Sequence, residues 1–120
     1  MAVTVESSGT QTATVATEHT LATITATKVC VLEVNLQNMV DGTTPDEVIL
    51  RIYDDILTGD ADVLLWIGHY VGKQGDAAAT GAFGECIVMS DPIPIAFSAK
   101  FTLTQSAGTS RTFKWSVRSV

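Results

Sequence analysis

Apolar and polar residues alternate with a period of two along most of the chain, and no segment carries the 3.6-residue period of an amphipathic helix. KVCVLEVNL (28–36) sets Cys30, Leu32, Val34 and Leu36 on one face and Glu33 and Asn35 on the other. EVILRIYDDIL (47–57) turns Val48, Leu50 and Ile52 inward and Glu47, Arg51 and Tyr53 outward, with Asp54-Asp55 kinking or ending the alternation. PIPIAFSAKFTLTQ (92–105) reads as one strand with Ile95, Phe97, Ala99, Phe101 and Leu103 facing in. RTFKWSVRSV (111–120) faces Phe113, Trp115 and Val117 in, and Thr112, Lys114, Ser116 and Arg118 out. QTATVAT (11–17) and TLATITA (20–26) are less apolar, but threonine is β-branched and favours extended backbone. CIVMS (86–90) adds a short strand.

VLLWIGHYV (63–71) departs from alternation. A nearly continuous apolar run is expected of a central strand covered on both faces. The connections are rich in turn formers. QNMVDGTTPDE holds an Asp41-Gly42 turn and Pro45, with one helical turn around Gln37–Val40; TGDAD (58–62) is a loop, and GKQGDAAATGAFGE (72–85) is a long glycine-rich one. SAGTS (106–110) reads as a hairpin turn made by Gly108. Residues 1–10 are expected to form a flexible arm, broken at Ser7-Ser8-Gly9, and residues 11–120 a single domain. Seven or eight short strands without a helix predict an all-β antiparallel sandwich, jelly-roll-like. Periodicity does not give the strand order.

Composition adds a reason to expect association. The 120 residues are 46% hydrophobic and 17% charged, with mean hydropathy +0.28. A domain this small needs much polar surface, so the apolar surplus points to surface hidden in an oligomer or against a partner. The net charge of −6 is uneven. Asp41, Asp46, Glu47, Asp54, Asp55, Asp60 and Asp62 stand against Arg51 alone, whereas residues 100–120 hold Lys100, Arg111, Lys114 and Arg118 and no acid. An acidic chain argues against nucleic-acid binding. No apolar run reaches membrane-spanning length, and the N-terminus lacks the pattern of a secretory signal. Cys30 and Cys86 are read as buried thiols, with a disulfide between them left open.

Motifs for catalysis or cofactors do not assemble. AGTSR lies between two strands, has one glycine and leads into no helix, so it lacks what a P-loop needs to hold phosphate. His19 and His69 have no accompanying zinc-ligand pattern, and Asp60 and Asp62 lack the rest of a calcium loop. His69, inside an apolar strand, reads as a core or interface histidine rather than a catalyst. The expectation is therefore a non-enzyme with no cofactor and no metal. Trp66, Tyr70 and Tyr53 could form a sugar-binding platform, though Trp66 and Trp115 fit the core better. The candidate partner-binding surface is the basic stripe Arg111, Lys114 and Arg118. These side chains either pair with the chain's own acidic 41–62 region or meet an acidic surface on a neighbour.

The order of these pieces carries a resemblance. A threonine-rich TATVATEHTLATITA leads to VCVLEVNLQNMVDG, then VILRIYDDILTG, then a strand carrying His69-Tyr70, and finally FTLTQSAGTSRTFKWSV. This resembles small virion proteins of tailed bacteriophages and prophages, most of all capsid decoration (cement) proteins. The most specific part is L-x-Q-x-A-G-T-x-R-x-F-x-W, Leu103 to Trp115. The 72–85 loop departs from the pattern. The resemblance implies a non-enzymatic structural protein that binds the outer head shell, made in the host cytoplasm and located on the virion head. Its partners would be the major capsid protein or other virion proteins, and copies of itself, a trimer being favoured. It implies no nucleic-acid or membrane partner. Two other readings stay open: a head–tail connector, completion or tail protein, and a carbohydrate-binding β-sandwich.

Overall fold

A computed structural model describes residues 2–59, 62–74 and 87–119. Nine strands follow in order: β1 (Thr4–Thr12), β2 (Glu18–Ile24), β3 (Lys28–Asn35), β4 (Glu47–Asp54), β5 (Val63–Val71), β6 (Ile87–Met89), β7 (Ile93–Ile95), β8 (Ala99–Ala107) and β9 (Thr112–Ser119). They form two antiparallel sheets, one ordered β1-β9-β3-β6 and the other β2-β8-β4-β5. Strands β6 and β7 lie end to end along β3, β6 against Glu33–Asn35 and β7 against Lys28–Cys30, so nine strands fill eight positions.

The winding follows from the pairing. β1 pairs with β9, β2 with β8, β3 with β7 and β6, and β4 with β5, all antiparallel. The chain is thus one long hairpin folded at the β4–β5 turn. It is wrapped so that successive pairs fall on alternate sheets. The β3–β9 and β4–β8 ladders close each sheet. This is the jelly-roll form of the β-sandwich.

The inward residues of both sheets meet in a single core. Cys30, Leu32, Val34 and Leu36 from β3 and its end pack with Val48, Leu50 and Ile52, Phe101 and Leu103, and Phe113 and Val117. Burial of such side chains stabilises by about 1.5–3 kcal/mol each. Met39 joins this core from the turn after β3, where its N–H donates to the Leu36 carbonyl at 3.1 Å. That single bonded turn stands where a helical turn was expected.

Several sequence expectations are corrected. Thr4–Thr12 is no arm but a full strand along β9, and half-buried Trp115 packs its ring on Gly9. Residues 92–105 are not one strand. β7 belongs to one sheet and β8 to the other, and Phe97, at the crossing, is 39% exposed instead of inward. SAGTS is not a hairpin turn, because β8 and β9 lie in different sheets; it arches from one to the other. VLLWIGHYV is not central either: among the described residues β5 lies at the edge of its sheet. The expectations for residues 75–86, the paired state of Cys86 among them, fall outside the described residues. Cys30 is buried as a free thiol.

Candidate interaction surfaces

The SAGTSR arch holds a carboxylate, and it is the chain's own. Asp46, 1% exposed, sits at the start of β4 beneath the arch. Its Oδ1 accepts from the Thr109 N–H at 3.0 Å, and its Oδ2 from the Val40 N–H at 3.0 Å and Arg111 Nε at 2.9 Å. Gly108 has φ +90°, and a Cβ there would lie 2.7 Å from the Asp46 Cα and closer still to its carboxylate. Only glycine lets the arch close over the acid. Fully buried Gln105 completes the brace. Its Nε2 donates to the Ala107 and Thr109 carbonyls, and its Oε1 accepts from the Arg111 N–H. Asp41 does a similar service beside Gly72, accepting from the Lys73 N–H at 2.7 Å.

The basic stripe is therefore divided. Arg111 is committed to Asp46, and Lys100 to Asp62 at 2.8 Å; both acids belong to the 41–62 region. Arg118 pairs with Glu33 at 3.1 Å and also bonds Ser116. Lys114 differs: exposed on β9, it has no ion-pair partner among the described residues. It lies where two shallow clefts meet on the outer face of its sheet. One, of about 240 Å³, runs past Glu33, Asn35, Ile87, Ser116 and Arg118. The other, of about 70 Å³, runs past Thr10, Gln37, Asn38 and Thr112. Arg111 lines neither.

The outer face of the second sheet has a polar centre and an apolar margin. Glu18 on β2 accepts from Tyr53 Oη and Thr102 Oγ1, each at 2.7 Å, with Arg51 3.6 Å away. Burial pushes the Glu18 carboxyl up, but these two hydrogen bonds and the charges of Arg51 and Lys100 outweigh it and leave it below its ordinary value. The same bond, with burial, raises the Tyr53 phenol. Glu47 is held low chiefly by the Ser106 hydroxyl; burial opposes this, and His69, 3.3 Å away, adds to it. His69 is thus an exposed side chain against Glu47, not a core residue.

Beyond this network lies β5. Val63, Leu64, Leu65, Ile67 and Val71 are between 43% and 53% exposed, and Ile56 and Leu57 precede them in the turn. The register places Ile67 beside outward Arg51 and Val71 beside outward Glu47, so these side chains extend the outer face. Trp66 and Tyr70 point the other way and pack against the core, their rings closing over Gly68. With the Tyr53 hydroxyl on Glu18 and Lys100 4.9 Å above its ring, these three aromatics make no open platform for a sugar. No cluster of three or more His, Cys, Asp or Glu able to hold a metal occurs among the described residues.

Pattern reading placed Asp46 in the acidic 41–62 region that could pair with the basic stripe, but did not single it out as the acid that the arch holds. Its signal was the pairing of an acid just before β4 with an arginine beyond a glycine arch, which is visible only once the start of β4 is known to lie beneath the β8–β9 connection. No family model matches this chain, nor does any curated protein or solved structure.

Proposed function

We propose that this chain is a non-enzymatic structural subunit of a tailed-phage virion, a capsid decoration protein that binds the outer head shell. The observation that carries the proposal is aliphatic surface on ordered strands of a jelly roll. Five such side chains are exposed on β5, and Val29, Ile87 and Met89 on the opposite sheet. Exposed apolar patches on regular strands favour protein contact. Jelly rolls serve in viral capsids and in lectins, so fold analogy alone admits both. The committed state of Tyr53, Trp66 and Tyr70 favours the first. Head–tail connection is the alternative within the same class.

Shell contact is assigned to the face around Lys114. Its side chain is available, and its clefts combine a cation, amides and the aliphatic Ile87. An acidic, partly apolar patch on a capsid protein suits that lining. The test is co-sedimentation with empty expanded capsids of the phage or prophage that encodes the chain. Saturable binding, weakened about tenfold or more by Lys114→Glu, is expected. If the wild-type chain stays in the supernatant but joins purified connectors or tails, the head-shell assignment fails. If it ignores capsids and binds a glycan array, the virion reading fails altogether.

A further inference from the structure

We infer that β5 is a self-association edge, pairing antiparallel with β5 of a second copy so that two four-stranded sheets join into one of eight strands. Edge strands offer unpaired N–H and C=O groups, and soluble proteins protect them with charges, proline, bulges or short length. Three of the edges here carry such protection. β1 has Glu6, β2 has Glu18, and the β6–β7 edge is two three-residue pieces with Pro94; a register shift occurs in β1, β2 and β5 alike. β5 is nine residues long, has no Asp, Glu, Lys, Arg or Pro, and shows five aliphatic side chains about half exposed. Left open, such an edge invites unlimited aggregation; covered by its own copy it is closed.

The strand suits a second copy in particular. Its single irregularity, opposite Ile52/Tyr53, leaves a regular stretch from Trp66 to Val71. A two-fold axis at Gly68 sets Ile67 opposite His69 of the partner subunit and Leu65 opposite Val71 of the partner subunit. On the inward side, Trp66 meets Tyr70 of the partner subunit, continuing the core layer across the seam. No charge is forced against a like charge. The aliphatic side chains of β5 stand on the outer face of its sheet, so edge pairing covers their strand-edge flanks and brings the rows of the two copies side by side into one continuous apolar band. The contact is isologous and closes as a dimer. Its bearing on function rests on the assembly reading above, but it is tested without capsids, so the two can fail separately.

Sedimentation velocity of the full chain up to about 100 µM decides it. The expected result is a concentration-dependent dimer, shifted to monomer by Ile67→Lys with an unchanged far-UV circular dichroism spectrum and retained by Lys114→Glu. Oxidation of the Ile67→Cys/His69→Cys double variant should link two chains. A wild-type chain that stays monomeric, or an oligomer (a trimer included) that Ile67→Lys leaves intact, overturns the inference. Should Ile67→Lys fail to fold, wild-type hydrogen exchange at low and high concentration replaces it. Protection along Trp66–Val71 that rises with concentration supports the pairing, and protection that does not change overturns it.

Discussion

Replacing Asp46 by asparagine keeps the shape of the side chain and removes what the arch is built around. The carboxylate has three donors on two oxygens: Thr109 N–H on Oδ1, and Val40 N–H with Arg111 Nε on Oδ2. An amide offers one oxygen. In its better orientation that oxygen keeps Val40 and Arg111, and the NH₂ group is set against the Thr109 N–H, donor to donor. One buried N–H without an acceptor costs about 1–3 kcal/mol. The two bonds that remain lose their charge assistance, worth about another 1 kcal/mol together. A loss near 3 kcal/mol is expected, a fall in Tm of about 10–12 °C for a chain of this length. Arg111→Met acts on the same pair from the other side. It leaves a carboxylate that is 1% exposed with two backbone donors and no countercharge, at a cost of about 3–5 kcal/mol. Urea unfolding of both single variants and the double gives the coupling. The double should cost at least 1 kcal/mol less than the sum, because each change already removes the Asp46–Arg111 term. Additive losses, or an Asp46→Asn variant within 1 kcal/mol of the parent, would refute the claim that the acid organises the arch.

Gly108→Ala tests the same site sterically: a Cβ at φ +90°, set against the Asp46 backbone, should lower stability by more than about 2 kcal/mol in urea titration, and a neutral result means that the arch is not closed on Asp46. Acid lability follows from Glu6, Glu18 and Glu47, whose folded-state values lie below their ordinary ones. Their stabilisation is fully present above the unfolded carboxylate range near pH 4.3 and is lost as pH falls through the folded values, so Tm should drop steeply below about pH 4.5. Glu18→Gln should flatten that slope. Asp54 has the opposite sign. Burial, first of all, raises its value, and its Oδ1 is buried without a partner among the described residues, so Asp54→Asn should raise Tm at pH 7 and lose that advantage on acidification. An equal Tm gain at pH 4 and pH 7 would point to another cause.

Much of the sandwich was legible in two-residue alternation. The inward sets of β3, β4 and β8 and the Phe113/Trp115/Val117 face are all core or core-packed. What was not legible depends on pairing between distant segments. A short glycine arch between alternating runs looks the same whether the runs pair with each other or lie in opposite sheets, so SAGTS read as a hairpin turn. An unbroken alternation from Ile93 to Leu103 gives no sign that the chain changes sheets at Phe97, because the inward parity is preserved across the crossing. The run 63–71 shows that both faces of β5 are apolar, but not whether the second cover is a sheet of the same chain or another molecule. Of the basic stripe, the sequence could place the charges but not their partners, which lie 65 and 85 positions away for Arg111 and Arg118.

The stretch from Leu103 to Trp115, which carries the resemblance to phage decoration proteins, can be accounted for almost residue by residue as scaffold. Leu103, Phe113 and Trp115 serve the core. Gln105 braces the arch, Gly108 makes room for Asp46, and Thr109 and Arg111 hold it. Thr109 contributes its backbone N–H and carbonyl while its side chain is exposed; the other side chains of this set are taken up by the scaffold. Used in folding to this extent, the stretch says more about the fold than about a partner. The choice of partner then rests with groups that the fold does not consume: Lys114 between its two clefts, and the uncharged edge of β5. Those two surfaces lie on different sheets, so one copy can present both at once. Comparing Lys114→Glu with Ile67→Lys separates the two roles. If the proposed role holds, the first change should weaken capsid binding about tenfold or more and spare the dimer. The second should spare single-site capsid binding but remove the gain in avidity that a two-headed subunit enjoys on a repeating lattice.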